Sequence, residues 1–149
     1  MESPPVEPRA CRPAELAVIV PTYCEAENLA EIIRRVEASL PGIAWELVFV
    51  DDDSPDGTAD LVRDAAHRDA RVRLVHRIGR RGLSSAVIEG MQATAAPYLA
   101  VIDGDLQHDE TLVPQMLNAL RNDEADLVVG SRYLAGGGVG EWSETRQRM

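Results

Sequence analysis

The chain has 149 residues, 45% of them hydrophobic, and a formal net charge of −10. This length supports one domain with a hydrophobic core, and so acidic a domain binds polyanions poorly, which argues against a nucleic-acid partner. All fifteen cationic side chains counted as lysine or arginine are arginines, and the absence of lysine excludes a Walker A lysine, a Schiff-base lysine and a receiver-domain lysine in this segment. No apolar run approaches the about 20 residues that span a bilayer, so we expect no transmembrane segment.

Short apolar runs alternate with helical patterns after residues 1–15, which are proline-rich and are predicted to form a flexible N-terminal tail. The five predicted strands are Leu16–Val20, Glu46–Val50, Val72–Val75, Tyr98–Ile102 and Asp126–Val129. The four predicted helices are Asn28–Leu40, with Asn28 and Glu31 as a capping pair, Thr58–Arg68, Leu83–Thr94 and Leu112–Arg121. This alternation predicts an α/β fold whose mostly parallel sheet is covered by helices on both faces.

Polar residues follow every predicted strand. The five sequences after the strands are PTYCE from Pro21, DDDSPDG from Asp51, HR from His76, DGDLQH from Asp103 and GSR from Gly130. In a parallel sheet these strand ends share one edge, where open α/β sheets bind their ligands. We therefore expect at least four carboxylates and one guanidinium to converge there.

The segment Asp103-Gly104-Asp105 is a candidate metal site. It places two carboxylates on one side of an extended turn, Gly104 leaves the approach open, and Gln107 adds a neutral oxygen. Oxygen donors suit Mg²⁺ or Mn²⁺, and such a cation would neutralise a diphosphate in a chain without lysine. By itself a D-x-D sequence more often marks a solvated turn, but its position after a buried strand favours the metal site.

The loops after the first two strands are candidates for nucleoside binding. Asp52 ends a buried strand and is predicted to accept a hydrogen bond from a base or a ribose hydroxyl; the alternative is a charge cluster before the next helix. Pro21 is expected to stop the first strand and shape a wall for the base, whereas Tyr23 and Glu25 are also compatible with an ordinary loop. The basic loop after the third strand is predicted to be solvated surface. It carries Arg77, Arg80 and Arg81.

Together these sequences resemble family 2 glycosyltransferases with the Rossmann-like GT-A fold, and within them the polyprenol-phosphate (dolichyl-phosphate) mannosyltransferases. The matching strings are PTYCEAENL, VDDDSPDGT, RRGLSSAVIEG, DGDLQHDE and VGSRYLAGGGVGEWSETR, in the family's order from about Leu16 to Met149. VDDDSPDGT together with DGDLQH is specific to this branch. The chain departs from the family pattern at Cys24, usually asparagine, at Asp53, usually a small residue, and at Gly104, usually alanine.

The resemblance implies roles for individual residues. The nucleotide sugar would be bound by Pro21, Tyr23, Glu25, Val50, Asp52, Asp103, Gly104, Asp105 and Arg132. Asp103 and Asp105 would be the catalytic residues, and Asp105 and Gln107 would hold Mg²⁺ or Mn²⁺. Arg132 would contact the phosphates, with help from Arg146.

The implied reaction is the inverting transfer of mannose from GDP-mannose to a polyprenyl phosphate at the cytoplasmic face of a membrane. A phosphate acceptor has a second pKa of about 6, so it is ionised at neutral pH and needs no general base. The alternatives are a family 2 enzyme that acts on a glycan hydroxyl and an inactive nucleotide-binding fragment. We expect residues 16–149 to form the nucleotide-sugar-binding part of a GT-A domain, without its acceptor part and with residues 135–149 loosely attached.

Overall fold

The structure, a computed structural model, describes residues 13–131. Its four strands are β1 (Leu16–Thr22), β2 (Trp45–Asp51), β3 (Val72–His76) and β4 (Tyr98–Val101). Its helices are α1 (Leu29–Ser39), α2 (Thr58–Arg68), α3 (Leu83–Gln92) and α4 (Val113–Arg121), the last preceded by a 3-10 turn at Glu110–Leu112. These eight strands and helices confirm the corresponding predictions to within one or two residues at each end.

All strand pairs in the sheet are parallel, and the strand order is β3-β2-β1-β4. The chain adds β2 and β3 on one side of β1 and then returns to add β4 on the other side. The topological switch point therefore lies between β1 and β4, where doubly wound sheets bind ligands. The predicted α/β fold with a parallel sheet is confirmed.

Helices cover both faces of the sheet. Helices α1, α2 and α4 pack on one face, where Phe49 is the largest side chain that is fully buried. Helix α3 packs on the other face through Ala86, against Ala17 and Ile19 of β1. This arrangement agrees with right-handed crossovers. The connections through α1 and α2 move along the sheet in one direction, and the connection through α3 moves in the other, so α3 lies on the opposite face. None of the described helices has the length and apolarity that crossing a bilayer requires.

The predicted fifth strand at Asp126–Val129 is wrong. The segment has no regular secondary structure, and Leu127 and Val129 are 78% and 73% exposed. An apolar run forms a strand only where a neighbour completes the hydrogen-bond ladder and buries one face. Within residues 13–131, β4 pairs only with β1, so this segment lacks such a neighbour.

Two local predictions near the end of β1 are also wrong. Pro21 does not stop the strand, because β1 continues to Thr22 and pairs Pro21 with Val50. The ladder with β4 ends at Ile19, so a proline beyond that point removes no hydrogen bond from it. Asn28 precedes α1 but makes no side-chain cap, since its amide is engaged in the loops described below.

Candidate functional site

The loops after β1 and β4 meet at the switch point through Asn28. Its side-chain amide donates to Glu25 Oε2 at 2.6 Å and to the Gly104 carbonyl oxygen at 3.0 Å. A Cβ atom at Gly104 would lie 3.1 Å from Glu25 Cγ, so the two loops are in close contact. The structure thus brings together Glu25 and Gly104, which the sequence placed on separate strand ends.

Negative charge accumulates at this junction. Burial raises the pKa of Glu25 above its ordinary value of 4.5, and repulsion from Asp105, Asp56 and Asp103 raises it further. The hydrogen bond from Asn28 opposes this shift only in part. The carboxylates from three strand ends therefore act on one another, as the sequence predicted, and a cation among them would relieve the repulsion.

The loop after β4 presents two exposed carboxylates. Asp105 Oδ1 accepts a hydrogen bond from the Gln107 backbone N–H at 3.1 Å, which orients the Asp105 side chain. Asp103 Oδ2 lies 3.4 Å from Nε2 of His108. Between the carboxylates, Gly104 is buried, and Leu106 adopts a left-handed backbone with φ of 60°. The loop therefore holds its carboxylates by short-range contacts while leaving them open to solvent.

These oxygen donors fit a divalent cation that is shared with a ligand. Nowhere in residues 13–131 do three or more histidine, cysteine or acidic side chains cluster closely enough to hold a metal by themselves. Mg²⁺ and Mn²⁺ commonly take one or two protein carboxylates and fill their other positions with phosphate oxygens and water. Asp105 with Gln107 matches that pattern, and the assignment of these two residues as the metal ligands remains a prediction.

The adjacent acidic residues at the end of β2 have different surroundings. Asp51 is fully buried and accepts hydrogen bonds from Thr22 Oγ1 and from the hydroxyl and backbone N–H of Ser54. Asp52 is nearly buried, and its two oxygens accept from Arg77 Nη1 and from the Gly82 N–H, each at 2.7 Å. Asp51 thus shapes the turn after β2, while Asp52 joins β2 to the loop after β3.

The loop after β3 is only partly the solvated surface that was predicted. Arg80 is exposed and forms a two-pronged ion pair with Glu89, as expected for surface. Arg77 is buried, with 2% of its surface exposed, because the loop folds back over it to reach Asp52. Arg81 lies over the ring of Tyr23, 4.1 Å from its centroid, and donates to the phenolic oxygen.

Arg81 and Arg77 tie the loop after β3 to the ends of both β1 and β2. Tyr23 is 42% exposed, which leaves part of its ring open for a ligand. The sequence alone assigned no site role to Arg77 or Asn28. The only sequence signal for a site role was position: Arg77 directly follows β3, and Asn28 lies in the loop after β1.

Val50 and Pro21 lie at paired positions on neighbouring strands. Both residues are buried, and the side chain of Val50 packs beneath Gly90 of α3. A ligand would therefore meet the backbone of Val50 rather than its side chain. Arg132 and Arg146, predicted at the phosphates, lie outside the described residues, as does the segment 135–149.

Two departures from the family pattern coincide with left-handed backbone. Cys24 and Asp53 have φ values of 60° and 58°, a region that asparagine and glycine occupy more readily than most residues. The Cys24 N–H donates to Ser54 Oγ at 2.9 Å. The Gly79 N–H and His76 hold the pKa of Asp53 below its usual range. Local hydrogen bonds thus stabilise both loop conformations.

Comparison with known sequences identifies the family. The family profile described as Glycosyl transferase family 2 matches residues 17–149. The chain belongs to glycosyl transferase family 2. It is 40% identical over 128 residues to a dolichol-phosphate mannosyltransferase of Pyrococcus furiosus, with 86% of this chain and 36% of the relative aligned. It is 41% identical over 128 residues to the enzyme of the same name from Saccharomyces cerevisiae, with 84% and 47% aligned. The chain thus spans less than half the length of these family 2 relatives.

Solved structures confirm the GT-A fold. The mannosyltransferase PcManGT from Pyrobaculum calidifontis, in complex with GDP-Man and Mn²⁺, superposes with a TM-score of 0.62 at 26% identity, covering 73% of this chain and 33% of that protein. Glucosyl-3-phosphoglycerate synthase from Mycobacterium tuberculosis, in complex with Mn²⁺, UDP and glucosyl-3-phosphoglycerate, gives 0.56 at 23% identity, covering 72% and 39%. TarS of S. aureus gives 0.62 at 18% identity, covering 81% and 40%. The last two likenesses concern the fold alone.

Proposed function

We propose that this chain forms the donor-binding part of an inverting, metal-dependent hexosyltransferase. Its donor is GDP-mannose, and its acceptor is a polyprenyl phosphate at the cytoplasmic face of a membrane. The observation that carries the proposal is the meeting of Glu25, Asp103 and Asp105 at the β1–β4 switch point of a family 2 chain. The preference for mannose is supported by the two relatives named dolichol-phosphate mannosyltransferase and by the GDP-Man complex of PcManGT.

The nucleoside lies against the ends of β1 and β2 in this proposal. Tyr23 offers a partly exposed ring, and Asp52 offers a carboxylate fixed by two hydrogen bonds. Pro21 and Val50 contribute the backbone beneath them. Glu25 and Gly104 close the junction toward the diphosphate, because their loops are joined by Asn28.

The diphosphate and sugar lie against the loop after β4. Asp105 and Gln107 would hold Mg²⁺ or Mn²⁺, and when bound this cation neutralises charge that develops on the departing diphosphate. Asp103 and Asp105 face the donor as the catalytic carboxylates, and Arg132 adds positive charge at the phosphates. A segment without lysine must neutralise phosphates with arginine, backbone N–H groups or such a cation.

The acceptor chemistry favours a phosphate over a hydroxyl. A phosphate monoester is already ionised at neutral pH, so its oxygen can attack the anomeric carbon without losing a proton to the enzyme. A sugar hydroxyl would need a general base near the donor. Beside the proposed donor site, the His108 imidazole is engaged by the Asp103 carboxylate, with Nε2 3.4 Å from Oδ2.

Nucleotide titrations test the donor assignment. The full chain, residues 1–149, is titrated by calorimetry with GDP and with UDP, with Mn²⁺ and with excess EDTA. We expect GDP to bind more tightly than UDP and Mn²⁺ to increase its affinity. Equal or tighter binding of UDP would overturn the guanosine assignment, and equal GDP affinity in EDTA would remove the metal from the proposal.

Transfer assays separate the alternatives for the acceptor. Labelled GDP-mannose is incubated with the protein and polyprenyl phosphate vesicles, and label in the organic phase is counted. Label that enters a glycan in place of the lipid would support a hydroxyl acceptor. GDP binding by residues 1–149 without transfer to either acceptor would support the nucleotide-binding fragment.

A further inference from the structure

Arg77, the first residue after β3, forms a buried ion pair with Asp52. Its Nη1 atom lies 2.7 Å from Asp52 Oδ1, and the side chains of the two residues are only 3% and 9% exposed. Removing two charged groups from water is unfavourable unless good geometry and further hydrogen bonds compensate for it. A buried pair of this kind therefore calls for an explanation beyond stability.

The remaining contacts of the Arg77 guanidinium lie in the loop after β3 and in α3. Nη1 also donates to the Gly82 carbonyl oxygen at 3.1 Å, and Nη2 donates to Ser85 Oγ at 2.6 Å. Nε lies 3.4 Å from a carboxylate oxygen of Glu89 and is the one buried side-chain polar atom in residues 13–131 without a hydrogen-bond partner. The guanidinium thus leaves Nε without a hydrogen bond while its other two nitrogens engage Asp52, Gly82 and Ser85.

We propose that Arg77 is a positioning residue for nucleoside recognition. With the Gly82 N–H, it holds the Asp52 carboxylate in one orientation before the nucleotide arrives. This inference rests on the proposed function, in which Asp52 accepts a hydrogen bond from the nucleoside. Arg77 itself is buried beneath the loop and acts only through Asp52.

The geometry of Asp52 is compatible with this role. An ionised carboxylate offers about four acceptor positions, and the Arg77 and Gly82 contacts occupy two of them. In this proposal the unused positions accept from a nucleoside, and neither contact has to be displaced. A carboxylate that is already ordered loses little conformational entropy when the ligand binds, which favours affinity.

Arginine suits this position because its planar fork reaches several acceptors at once. One guanidinium contacts Asp52 in the loop after β2, Gly82 in the loop after β3 and Ser85 on α3. A lysine ammonium would balance the charge of Asp52 but would not reproduce this fixed geometry. The Arg77→Lys variant therefore separates the effect of charge from that of orientation.

A double-mutant cycle on nucleotide affinity tests the proposal. The variants of the full chain are Arg77→Met, Asp52→Asn and the combination, and the readout is the Kd for GDP and for UDP with Mn²⁺. We expect each single variant to weaken binding of the preferred nucleotide about tenfold or more, as for loss of a charged hydrogen bond. The combination should be little worse than Asp52→Asn alone, because Arg77 acts through that carboxylate.

Arg73→Met serves as the matched control, since Arg73 on β3 is exposed and pairs with Glu46, whereas Arg80 shares Glu89 with Arg77. It should change the affinity less than twofold and should be additive with Asp52→Asn. If Arg77→Met is unfolded at the assay temperature, Arg77→Lys replaces it in the same cycle, and melting curves establish which protein is folded.

The outcomes separate this inference from the proposed function. Additive losses from Arg77 and Asp52, or a folded Arg77 variant with wild-type affinity, would overturn the positioning role. Tighter binding of UDP than GDP would overturn the guanosine donor, while coupling measured with UDP would still support the Arg77–Asp52 pair. If the wild-type chain bound neither nucleotide, both proposals would fail.

Discussion

Asn28, just before α1, donates a hydrogen bond to the carbonyl oxygen of Gly104, which lies 76 positions later in the sequence. The same amide group donates to Glu25, so one side chain joins the two loops that border the switch point. This contact spans the place where the donor diphosphate is proposed to bind. Its loss should therefore affect ligand binding more than the overall fold.

Replacing Asn28 with alanine should weaken Mn²⁺-dependent GDP binding. The variant leaves Glu25 without its hydrogen-bond donor and frees the Asp103–Asp105 loop to move, so we expect a loss of about tenfold, the effect of a charged hydrogen bond. Calorimetry with and without Mn²⁺ measures it. The control is Asn118→Ala, which removes an exposed contact to Arg121 on α4. An equal loss in both variants would mean that the Asn28 bridge has no special role.

Replacing Asp105 with alanine should abolish the gain in GDP affinity that Mn²⁺ provides. The carboxylate is exposed and oriented by the Gln107 N–H, which makes it the first candidate for the cation. Asp109→Ala is the matched control, since Asp109 caps the 3-10 turn before α4 by accepting from the Thr111 N–H. It should cost about 1 kcal/mol of stability and leave binding unchanged. If Asp109→Ala harms binding more, the metal site is misplaced.

The stability of the protein should respond to pH through Glu25. Burial and the neighbouring carboxylates raise its folded-state pKa above 4.5, so the proton binds more tightly in the folded protein than in the unfolded chain. The corresponding stability is fully present below about 4.5 and is lost as the pH rises through the folded value. Glu25→Gln removes the charge and keeps an acceptor for Asn28, so its Tm should exceed that of the wild type at pH 7.

The Tm difference between Glu25→Gln and the wild type should shrink toward zero near pH 4. Glu27→Gln is the control, because Glu27 is exposed in the same loop. Thermal unfolding followed by circular dichroism at both pH values measures all three proteins. A wild type that is more stable than Glu25→Gln at pH 7 would contradict the repulsion described here.

Replacing Gly90 with alanine should destabilise the fold. A Cβ atom at this position of α3 would overlap the side chain of Ile19 and lie 2.8 Å from Val50 Cγ2, both in buried strands. Overpacking of this kind typically costs about 1–3 kcal/mol. The control is Ser84→Ala on the exposed surface of the same helix, which should be neutral or slightly stabilising. Urea unfolding measures both, and a neutral Gly90→Ala would show that α3 can move away from the sheet.

Replacing Cys24 with asparagine should stabilise the loop after β1. Cys24 has a φ of 60°, and asparagine tolerates left-handed backbone better than cysteine. We expect a gain of about 0.5 kcal/mol, a fraction of the roughly 1–2 kcal/mol that this region costs an ordinary residue. Cys24→Ser is the control, since it removes the thiol and keeps a side chain without this preference. An equal gain in both variants would attribute the effect to the thiol.

Much of the fold follows from local patterns. The continuous apolar run of β2 and the helical spacing of apolar residues in α2 can both be recognised from residues close together in the sequence. These elements were therefore predicted to within two residues. The segment at Leu127 and Val129 has a similar apolar pattern but stays exposed. Its state depends on a partner strand, which residues nearby in the sequence cannot supply.

The candidate site also has a part that the sequence predicted and a part that it did not. The order of strands and helices was enough to place Glu25, Asp52 and Asp105 at one edge of the sheet, because parallel strands bring their carboxyl ends together. The sequence could not predict the hydrogen bonds from Asn28 to Gly104 and from Arg77 to Asp52, since they join residues 76 and 25 positions apart.

The amino-acid sequence by itself determined the α/β class, the family resemblance and the acidic edge, all of which arise from short-range patterns. Tertiary structure decided that Arg77 is buried, that Asn28 bridges two loops and that Pro21 lies inside a strand. The physical reason is that a polar side chain takes whichever partner the folded chain brings within hydrogen-bonding distance. That distance is set by how strands and helices pack, and not by the identity of sequence neighbours.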